Sequence, residues 1–215
     1  MESAEFIVLA TTKVRDNSLV LHTLSREYGR RGFLVRVSKK VPMALFLPMN
    51  ILEAEVVENP KSQLWSLRGI SALDPLNGIR GNIRKSSITQ FISEVLYRSV
   101  KDGVADEGLF DWCLRSILTL DAVQADFSNF SIHFLLEYAA VLGFRPTFDD
   151  IAPFADKHLA ELKPFLTASF TDAMLIPLNG GTRNALCEDL LRYLEFHTES
   201  SIPVHSLAVL HEVFG

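Results

Sequence analysis

The spacing of hydrophobic residues changes once along this chain, near residue 75, and this change restricts the fold more than any other feature of the sequence. Before it, short runs rich in β-branched and aromatic residues alternate with turns; after it, apolar residues recur every three or four positions. A period of two is typical of half-buried strands and a period near 3.6 of amphipathic helices. The sequence therefore predicts an α+β protein, with a strand domain over residues 1–75 and a helical domain over residues 76–215.

Five short strands are predicted in the first domain, over residues 6–12, 18–24, 32–38, 51–58 and 63–70. In the third of them, Phe33, Val35 and Val37 alternate with other residues and so share one buried face. The segments between the strands show no helical pattern long enough for the crossovers that parallel neighbours need. We therefore expect a small antiparallel β-barrel of the OB-like type.

The helical domain is predicted from apolar stripes at helical spacing. Ile88, Phe91 and Val95 lie on one such stripe, and further helices are expected over residues 109–120, 127–142, 156–166, 182–198 and 204–214. The helix over 109–120 is apolar around most of its circumference, which is typical of a helix inside a bundle. Gly143 is expected to end the helix before it, and Thr182 to act as an N-cap.

Basic residues are concentrated in the first part of the chain. Residues 1–85 carry 13 Lys and Arg against 8 Asp and Glu, whereas residues 86–215 carry 8 against 18, so the two net charges are +5 and -10. Phosphate binding is driven by cationic side chains that displace counterions. Two interpretations fit this asymmetry: a basic nucleic-acid-binding module on an acidic carrier, and an unevenly charged surface that only faces water.

The chain contains no motif of a common catalytic or metal site. It has no phosphate-binding glycine loop, no G-x-S-x-G and no H-E-x-x-H. Cys113 and Cys187 stand far apart without further cysteines, so both are expected to be small buried hydrophobes. The pair Asp149 and Asp150 is expected to cap a helix rather than bind a metal. We expect a non-enzymatic protein with no cofactor and no metal. Without a signal-peptide or membrane-segment pattern, a cytoplasmic location is expected.

The candidate DNA-binding residues lie in strand edges and loops of the predicted barrel. A small barrel can bring such loops together into one positive strip for a sugar-phosphate backbone, although solvated strand faces are the simpler alternative. Tyr28, beside Gly29 in a turn, is the preferred ring for stacking on a base; Phe33 is expected in the core, and Phe46 and Trp65 are further candidates. The predicted set is Lys13, Arg15, Tyr28, Arg30, Arg31, Arg36, Lys39 and Lys40.

Six segments in order along the chain resemble the RecO family of bacterial recombinational DNA-repair proteins, in its Bacteroides-type form. They are Ser25–Arg30, Leu47–Glu53, Phe91–Tyr97, Phe134–Leu136, Leu142–Pro146 and Ser206–Val213. The resemblance implies an OB-fold followed by a helical domain, binding of single- and double-stranded DNA, and annealing of complementary strands. It also implies loading of RecA together with RecR, contact of the helical domain with the C-terminal tail of single-strand-binding protein, and association with the nucleoid.

The sequence departs from the family pattern in three respects. Many members carry a four-cysteine zinc module after the Gly-Phe-x-Pro segment, and this chain has no cysteine between Pro146 and Cys187, so no zinc is expected. The loop at Lys39 and Lys40 is shorter than the usual basic loop, and the net charge is -5. The alternative function is therefore a protein-interaction adaptor with weak DNA affinity, and a nuclease ranks third.

Overall fold

A computed structural model describes residues 3–60, 62, 64–155 and 157–215 of the chain. The chain folds into two compact units, one made of residues 1–77 and 100–117 and the other of residues 78–99 and 118–215. This grouping differs from the domain division predicted at residues 75 and 76 chiefly in residues 100–117, which follow the first long helix and yet group with the strands. The division into two consecutive domains stays a prediction.

The first unit is built on a closed five-stranded barrel. Its strands, β1 (Ser3–Arg15), β2 (Ser18–Ser25), β3 (Gly29–Arg36), β4 (Ile51–Val57) and β5 (Trp65–Ala72), follow one another around the barrel in the order β1-β2-β3-β5-β4. The prediction of a small OB-like barrel is confirmed. One pairing departs from the antiparallel pattern, because β3 and β5 pair in parallel. A closed ring with an odd number of strands cannot alternate in direction throughout.

Alternating residues of the strands fill the barrel interior. Phe6 and Val8 of β1, Leu21 of β2, Phe33 of β3 and Leu52 of β4 are among the core residues. The position of Phe33 in this core confirms its prediction. Phe46, considered as a stacking ring, is only 4% exposed and also belongs to the core. It lies in a short 3₁₀ helix, Met43–Phe46, between β3 and β4.

The segment that follows residue 99 is held on the turn between β2 and β3. The amide of Gly103 donates to the carbonyl of Arg30 (2.8 Å), which places residues 100–104 beside the start of β3. Gly29 has a φ of +60°, and a Cβ atom there would stand 2.1 Å from the Val104 carbonyl oxygen. Glycine at position 29 therefore satisfies both a left-handed backbone and a close approach.

The described helices are short or medium in length. They are α1 (Asn77–Arg80), α2 (Ile83–Ser99), α3 (Glu107–Ala122), α4 (Phe130–Val141), α5 (Phe148–Ile151), α6 (Leu159–Leu162), α7 (Phe170–Leu175), α8 (Gly180–Thr198) and α9 (Leu207–Phe214). In the second unit α2 packs against α4 and α9, α4 also packs against α7 and α8, and α8 packs against α9. Their apolar faces form the core of this unit, which includes Phe91, Leu135, Tyr138 and Leu190.

Several helix boundaries differ from those predicted. The N-cap of α8 is Asn179, whose Oδ1 accepts a hydrogen bond from the Thr182 amide (2.8 Å), so Thr182 lies inside the first turn rather than capping it. The helix expected over 156–166 is α6 followed by a 3₁₀ helix, Lys163–Leu166, because Pro164 lacks the amide that a continuing α-helix needs. Its predicted first residue, Asp156, lies outside the described residues. Thr147 and Asp150 form a capping box on α5, in agreement with the expected capping role of the acidic pair.

Candidate nucleic-acid interface

The eight predicted DNA-binding residues all lie in the first unit, but they fall into two groups at opposite ends of β3. Tyr28, Arg30 and Arg31 lie at its beginning, and Arg36 lies at its last residue. Arg36 lies six residue steps of extended strand beyond Arg30, a distance of about 20 Å. The structure thus brings five of the eight residues together at one end of the barrel and places three at the other.

The first of the two groups, which contains Arg36, lies where β1 ends, β2 begins and β3 ends. Arg15 is the register partner of Ser18, and Ser18 is in turn the register partner of Arg36, so the three residues form one row across three strands. Neighbouring strands lie about 4.8 Å apart, which puts the backbones of the two arginines about 10 Å from each other. Both arginine side chains are exposed. They form a pair of cations on the outer face of the barrel.

Lys39 and Lys40 are held close to this row by a tight turn. Ser38 and Val41 exchange two backbone hydrogen bonds of 3.0 and 3.1 Å, so the two lysines form the tip of the turn. The Val37 amide donates to the carbonyl of Asn17 (3.0 Å), which joins this segment to the turn between β1 and β2. The short basic loop noted in the sequence is therefore an ordered projection beside Arg36.

Lys13 completes the first group from the other side of the β1–β2 ribbon. It is the register partner of Leu19, whose side chain faces the barrel interior, and a register shift between Lys13 and Arg15 turns Arg15 to the outer face. Over the residues that the structure describes, the group forms no ion pair. We call this group the cationic end; its members are Lys13, Arg15, Arg36, Lys39 and Lys40.

Arg30, in the second group, is bound to the segment that docks beside β3. Its Nε donates to the Val100 carbonyl (2.6 Å), and its Nη2 lies 3.0 Å from Oδ2 of Asp102. The Arg30 side chain is 17% exposed, whereas that of Asp102 is 74% exposed. Arg30 is thus bound to groups of its own protein through at least two of its nitrogen atoms.

Arg31 and Tyr28 belong to an aromatic cluster at the same end of the barrel. The Arg31 guanidinium lies over the ring of Trp65, 3.6 Å from its centroid, and Tyr28 contacts the ring of Trp65 edge-on at 6.0 Å. Tyr28 also packs against Phe33. Burial, followed by the charges of Glu27 and Glu58, raises the pKa of Tyr28, and Arg31 opposes this effect. Stacking of Tyr28 on a base stays a prediction, and its ring already contacts three others, since Phe6 is stacked on it at 6.4 Å and Phe33 and Trp65 meet it edge-on.

The outer face of the barrel has opposite charge in two places. Away from the cationic end, Glu5 of β1 is the direct register partner of Glu53 of β4, and Glu55 follows two residues later on the same face. Ser3 donates to Glu53 (2.7 Å), and Arg26 forms ion pairs with Glu5 and with Asp111 of α3. A polyanion is therefore attracted to one part of this surface and repelled by the other.

Sequence reasoning missed His22, which lies between the two groups on the outer face of β2. Oγ1 of Thr12 lies 3.0 Å from its Nε2. Burial first, and then the charge of Arg30, lowers the pKa of His22, whereas Asp102 acts in the opposite direction. His22 lies in the strand predicted over residues 18–24, where nothing in the sequence singles it out. The sequence does not reveal its neighbours on β1 and β3.

The described parts of the chain also bear on the expectations for metals, cysteines and membrane helices. Over residues 3–60, 62, 64–155 and 157–215, His, Cys, Asp and Glu side chains form no group of three suited to a metal ion. Cys113 and Cys187 are both buried, as predicted. Among the described helices, none is long and apolar enough to span a membrane.

The fold defines the chain as a closed OB-like barrel joined to a helical unit. The family models for the N-terminal and C-terminal parts of recombination protein O match residues 1–76 and 80–152, respectively. The chain belongs to the RecO family, which confirms the resemblance seen in the sequence and assigns it to DNA repair and recombination.

Relatives named DNA repair protein RecO support this assignment. The DNA repair protein RecO of Bacteroides fragilis is 32% identical over 169 residues, which cover 77% of this chain and 67% of that protein. The DNA repair protein RecO of Phocaeicola vulgatus is 29% identical, with 97% of both chains covered. That of Flavobacterium psychrophilum is 28% identical, again with 97% of both chains covered.

Proposed function

We propose that this chain is a recombination mediator whose barrel binds single- and double-stranded DNA and anneals complementary strands. Together with RecR, it helps to load RecA onto DNA that is covered by single-strand-binding protein, whose C-terminal tail docks on the helical unit. Membership of the RecO family supports the role in repair and recombination. A cytoplasmic, nucleoid-associated location belongs to the same proposal.

The DNA contact in this proposal is electrostatic. Annealing requires two polyanions to approach each other, and cationic side chains that neutralise phosphates lower their repulsion. The step forms and breaks no covalent bond, so the proposed mechanism is non-enzymatic and uses no cofactor.

The observation that carries the proposal is the cationic end. Five cations from two strands, β1 and β3, and one turn lie there, and over the described residues none of them is neutralised by an ion pair. Arg30 and Arg31 contrast with them, since one is paired with Asp102 and the other covers Trp65. We therefore propose the cationic end as the main phosphate contact and keep Tyr28, Arg30 and Arg31 as predicted contacts of a second region.

The salt dependence of binding tests this contact. If five phosphates of a single strand are neutralised, the logarithm of the association constant should fall against the logarithm of salt concentration with a slope of about -3.5. The measurement is fluorescence anisotropy of a labelled oligonucleotide with the full chain at several salt concentrations. A slope near zero would rule out phosphate tracking by the cationic end.

Charge reversal locates the contact. The double variant Lys39→Glu and Lys40→Glu should weaken binding at least tenfold, because the turn tip is exposed and adjoins Arg36. The matched control is the double variant Lys101→Glu and Arg115→Glu, which makes the same change in net charge at two exposed positions of the same unit. An equal loss in the control would show that only net charge matters.

The second candidate function is an interaction adaptor that touches DNA weakly. Two observations favour it: residues 86–215 carry a net charge of -10, and Arg30 is paired with Asp102. The test compares binding of the full chain to DNA with binding to RecR and to the tail peptide of single-strand-binding protein. Nanomolar affinity for DNA in the absence of any partner would contradict the adaptor. Tight partner binding without measurable DNA binding would support it.

A further inference from the structure

The strand β1 has hydrogen-bonded neighbours on both sides only over its first half. Its pairing with β4 ends at Ile7, and the backbone of Val8 still bonds to the segment just before β4 (2.8 and 2.9 Å). Pairing with β2, on the other side, continues as far as Arg15. The last part of β1 therefore lies at an open edge of the sheet, and we call residues 11–15 the free edge.

The backbone of the free edge is accessible to another chain. All five of its residues are exposed, and Val14 is 52% exposed. Alternate residues of a strand direct their amide and carbonyl groups to opposite sides, so part of the free edge directs them away from β2. Over the described residues, no backbone–backbone hydrogen bond reaches residues 11–15 from that side, although the 3₁₀ helix Met43–Phe46 contacts β1. Unpaired edge groups of this kind can pair with an extended chain.

The free edge is positively charged on both faces of the sheet. Lys13 lies on the inner face and Arg15 on the outer face, because the register shifts between them. Within the described part of the chain, neither residue forms an ion pair, even with Asp16 in the turn that follows. A segment paired along this edge would thus pass between two unneutralised cations.

This charge decides which segment the edge accepts. If two copies of the chain paired along their free edges, Lys13 and Arg15 of both copies would come together, and like charges opposite each other destabilise strand pairing. An extended peptide with carboxylates on both of its faces would instead meet a cation on each face. Charge complementarity therefore favours an acidic peptide over a second copy of the chain.

We propose that the free edge binds an extended acidic peptide segment of a partner protein, which adds to the barrel as a further β-strand and places carboxylates beside Lys13 and Arg15. Backbone hydrogen bonds supply affinity, and the two cations select acidic segments. Because both cations belong to the cationic end, a bound peptide and a DNA strand exclude each other there. Only this competition rests on the proposed function.

The first test separates strand addition from simple attraction between charges. The probe is fluorescein-labelled Val-Glu-Glu-Val-Glu-Glu-Val, in which valine favours an extended chain and the carboxylates lie on both faces. Its binding to the full chain is measured by fluorescence anisotropy. The control peptide has the same side chains but an N-methyl group on every backbone amide, so it keeps the charge and cannot donate to an edge. It should bind at least tenfold more weakly. Equal binding of the two peptides, or no binding of the probe at millimolar concentration, would overturn the proposal.

The second test locates the bound peptide. Addition of the probe should slow amide hydrogen exchange in the fragment that contains residues 11–15. Lys13→Glu should weaken binding of the probe at least tenfold, because it replaces an attraction with a repulsion. Lys101→Glu makes the same change of charge at another exposed position of the same unit and should have little effect. Equal losses in the two variants, or unchanged exchange over residues 11–15, would show that the peptide does not bind at the free edge.

Competition separates this inference from the proposed function. Unlabelled oligothymidine should displace the labelled peptide from the full chain. If the chain binds the peptide at residues 11–15 but binds no oligothymidine, the DNA-binding function is contradicted and strand addition is supported. If both ligands bind and neither displaces the other, the shared use of Lys13 and Arg15 is wrong.

Discussion

Gly29 and Val104 approach each other so closely that no side chain fits at position 29. A Cβ atom there would meet the carbonyl oxygen of Val104 at 2.1 Å and the amide nitrogen of Ala105 at 2.9 Å, and all of these are backbone atoms that cannot rotate away. The turn between β2 and β3 and the segment after α2 are therefore fitted to each other at one glycine. The ion pair between Arg30 and Asp102 joins the same two segments, one residue after Gly29 and two residues before Val104.

Substitution of Gly29 should consequently destabilise the first unit strongly. Gly29→Ala combines a left-handed backbone with a steric clash and should lower the free energy of unfolding by about 3 kcal/mol. Gly69→Ala is the matched control: its φ is +63° but nothing lies within 4 Å of the added atom, so a loss of about 1 kcal/mol is expected. Both tryptophans, Trp65 and Trp112, lie in this unit, so their fluorescence in urea reports its unfolding. Equal losses would show that the Val104 contact is unimportant.

The two groups of basic residues should differ in their effect on salt dependence. Each phosphate contact of a single strand contributes about 0.7 to the slope of log affinity against log salt, so Arg36→Gln should reduce the magnitude of the slope by about 0.7. Arg30→Gln should leave the slope unchanged, because its guanidinium is paired with Asp102 and Val100. The same anisotropy titration measures both. A reduced slope for Arg30→Gln would show that Arg30 also contacts a phosphate.

The carboxylate of Glu94 in α2 should make the attachment of α9 dependent on pH. Burial alone would raise its pKa. Hydrogen bonds from the hydroxyl and amide of Ser206 (2.6 and 2.9 Å), with the amide and charge of His205, lower it by more than burial raises it. The pKa of Glu94 therefore lies below its ordinary value. A carboxyl with a lowered folded-state pKa stabilises the fold fully above its unfolded pKa and loses this stabilisation as the pH falls through the folded pKa. Glu94→Gln should cost about 1 kcal/mol at pH 7.

Hydrogen exchange of the α9 amides measures this effect. Exchange should be faster in Glu94→Gln than in the unaltered chain at pH 7, and the difference should shrink as the pH falls below about 4, the ordinary range of glutamate. Glu212→Gln, at an exposed position on α9, is the control and should leave exchange unchanged. A difference that stays constant down to low pH would contradict the role assigned to the Glu94 charge.

The two cysteines should be unreactive in the folded chain. Burial raises the pKa of Cys187 to about 12 and raises that of Cys113 well above its ordinary range, so neither thiol forms the reactive thiolate near pH 7. A thiol reagent should therefore label them only as fast as the units open, and in urea both should react at once. Rapid labelling of either residue under native conditions would show that it is not buried.

The strands could be predicted from the sequence because each has one face towards solvent and one face in the barrel core. Alternation over positions 32–38 located β3 and identified Phe33 as core, and five such runs were enough to predict an OB-like barrel. The parallel β3–β5 contact was not readable in the same way, since it follows from closing the ring. Helices α5 and α7 were missed because four to six residues are too few to show a helical period.

The candidate site was only partly predictable for a related reason. The sequence shows that a residue is basic, but whether its charge reaches solvent depends on partners far along the chain. Arg30 meets Asp102 and Arg31 meets Trp65, and neither pairing leaves a local signal. His22 was overlooked because its contact with Thr12 and its lowered pKa come from burial and from residues on two other strands.

The barrel is closed by one parallel strand contact, between β3 and β5, and this affects how the barrel opens. That contact contains two register pairs, Phe33 with Trp65 and Leu34 with Ser66, whereas β2 and β3 share eight. Fluctuations that open the barrel should therefore begin between β3 and β5, before β2 separates from β3. The barrel is thus expected to open first between Leu34 and Ser66, which makes this contact the place where its local stability is lowest.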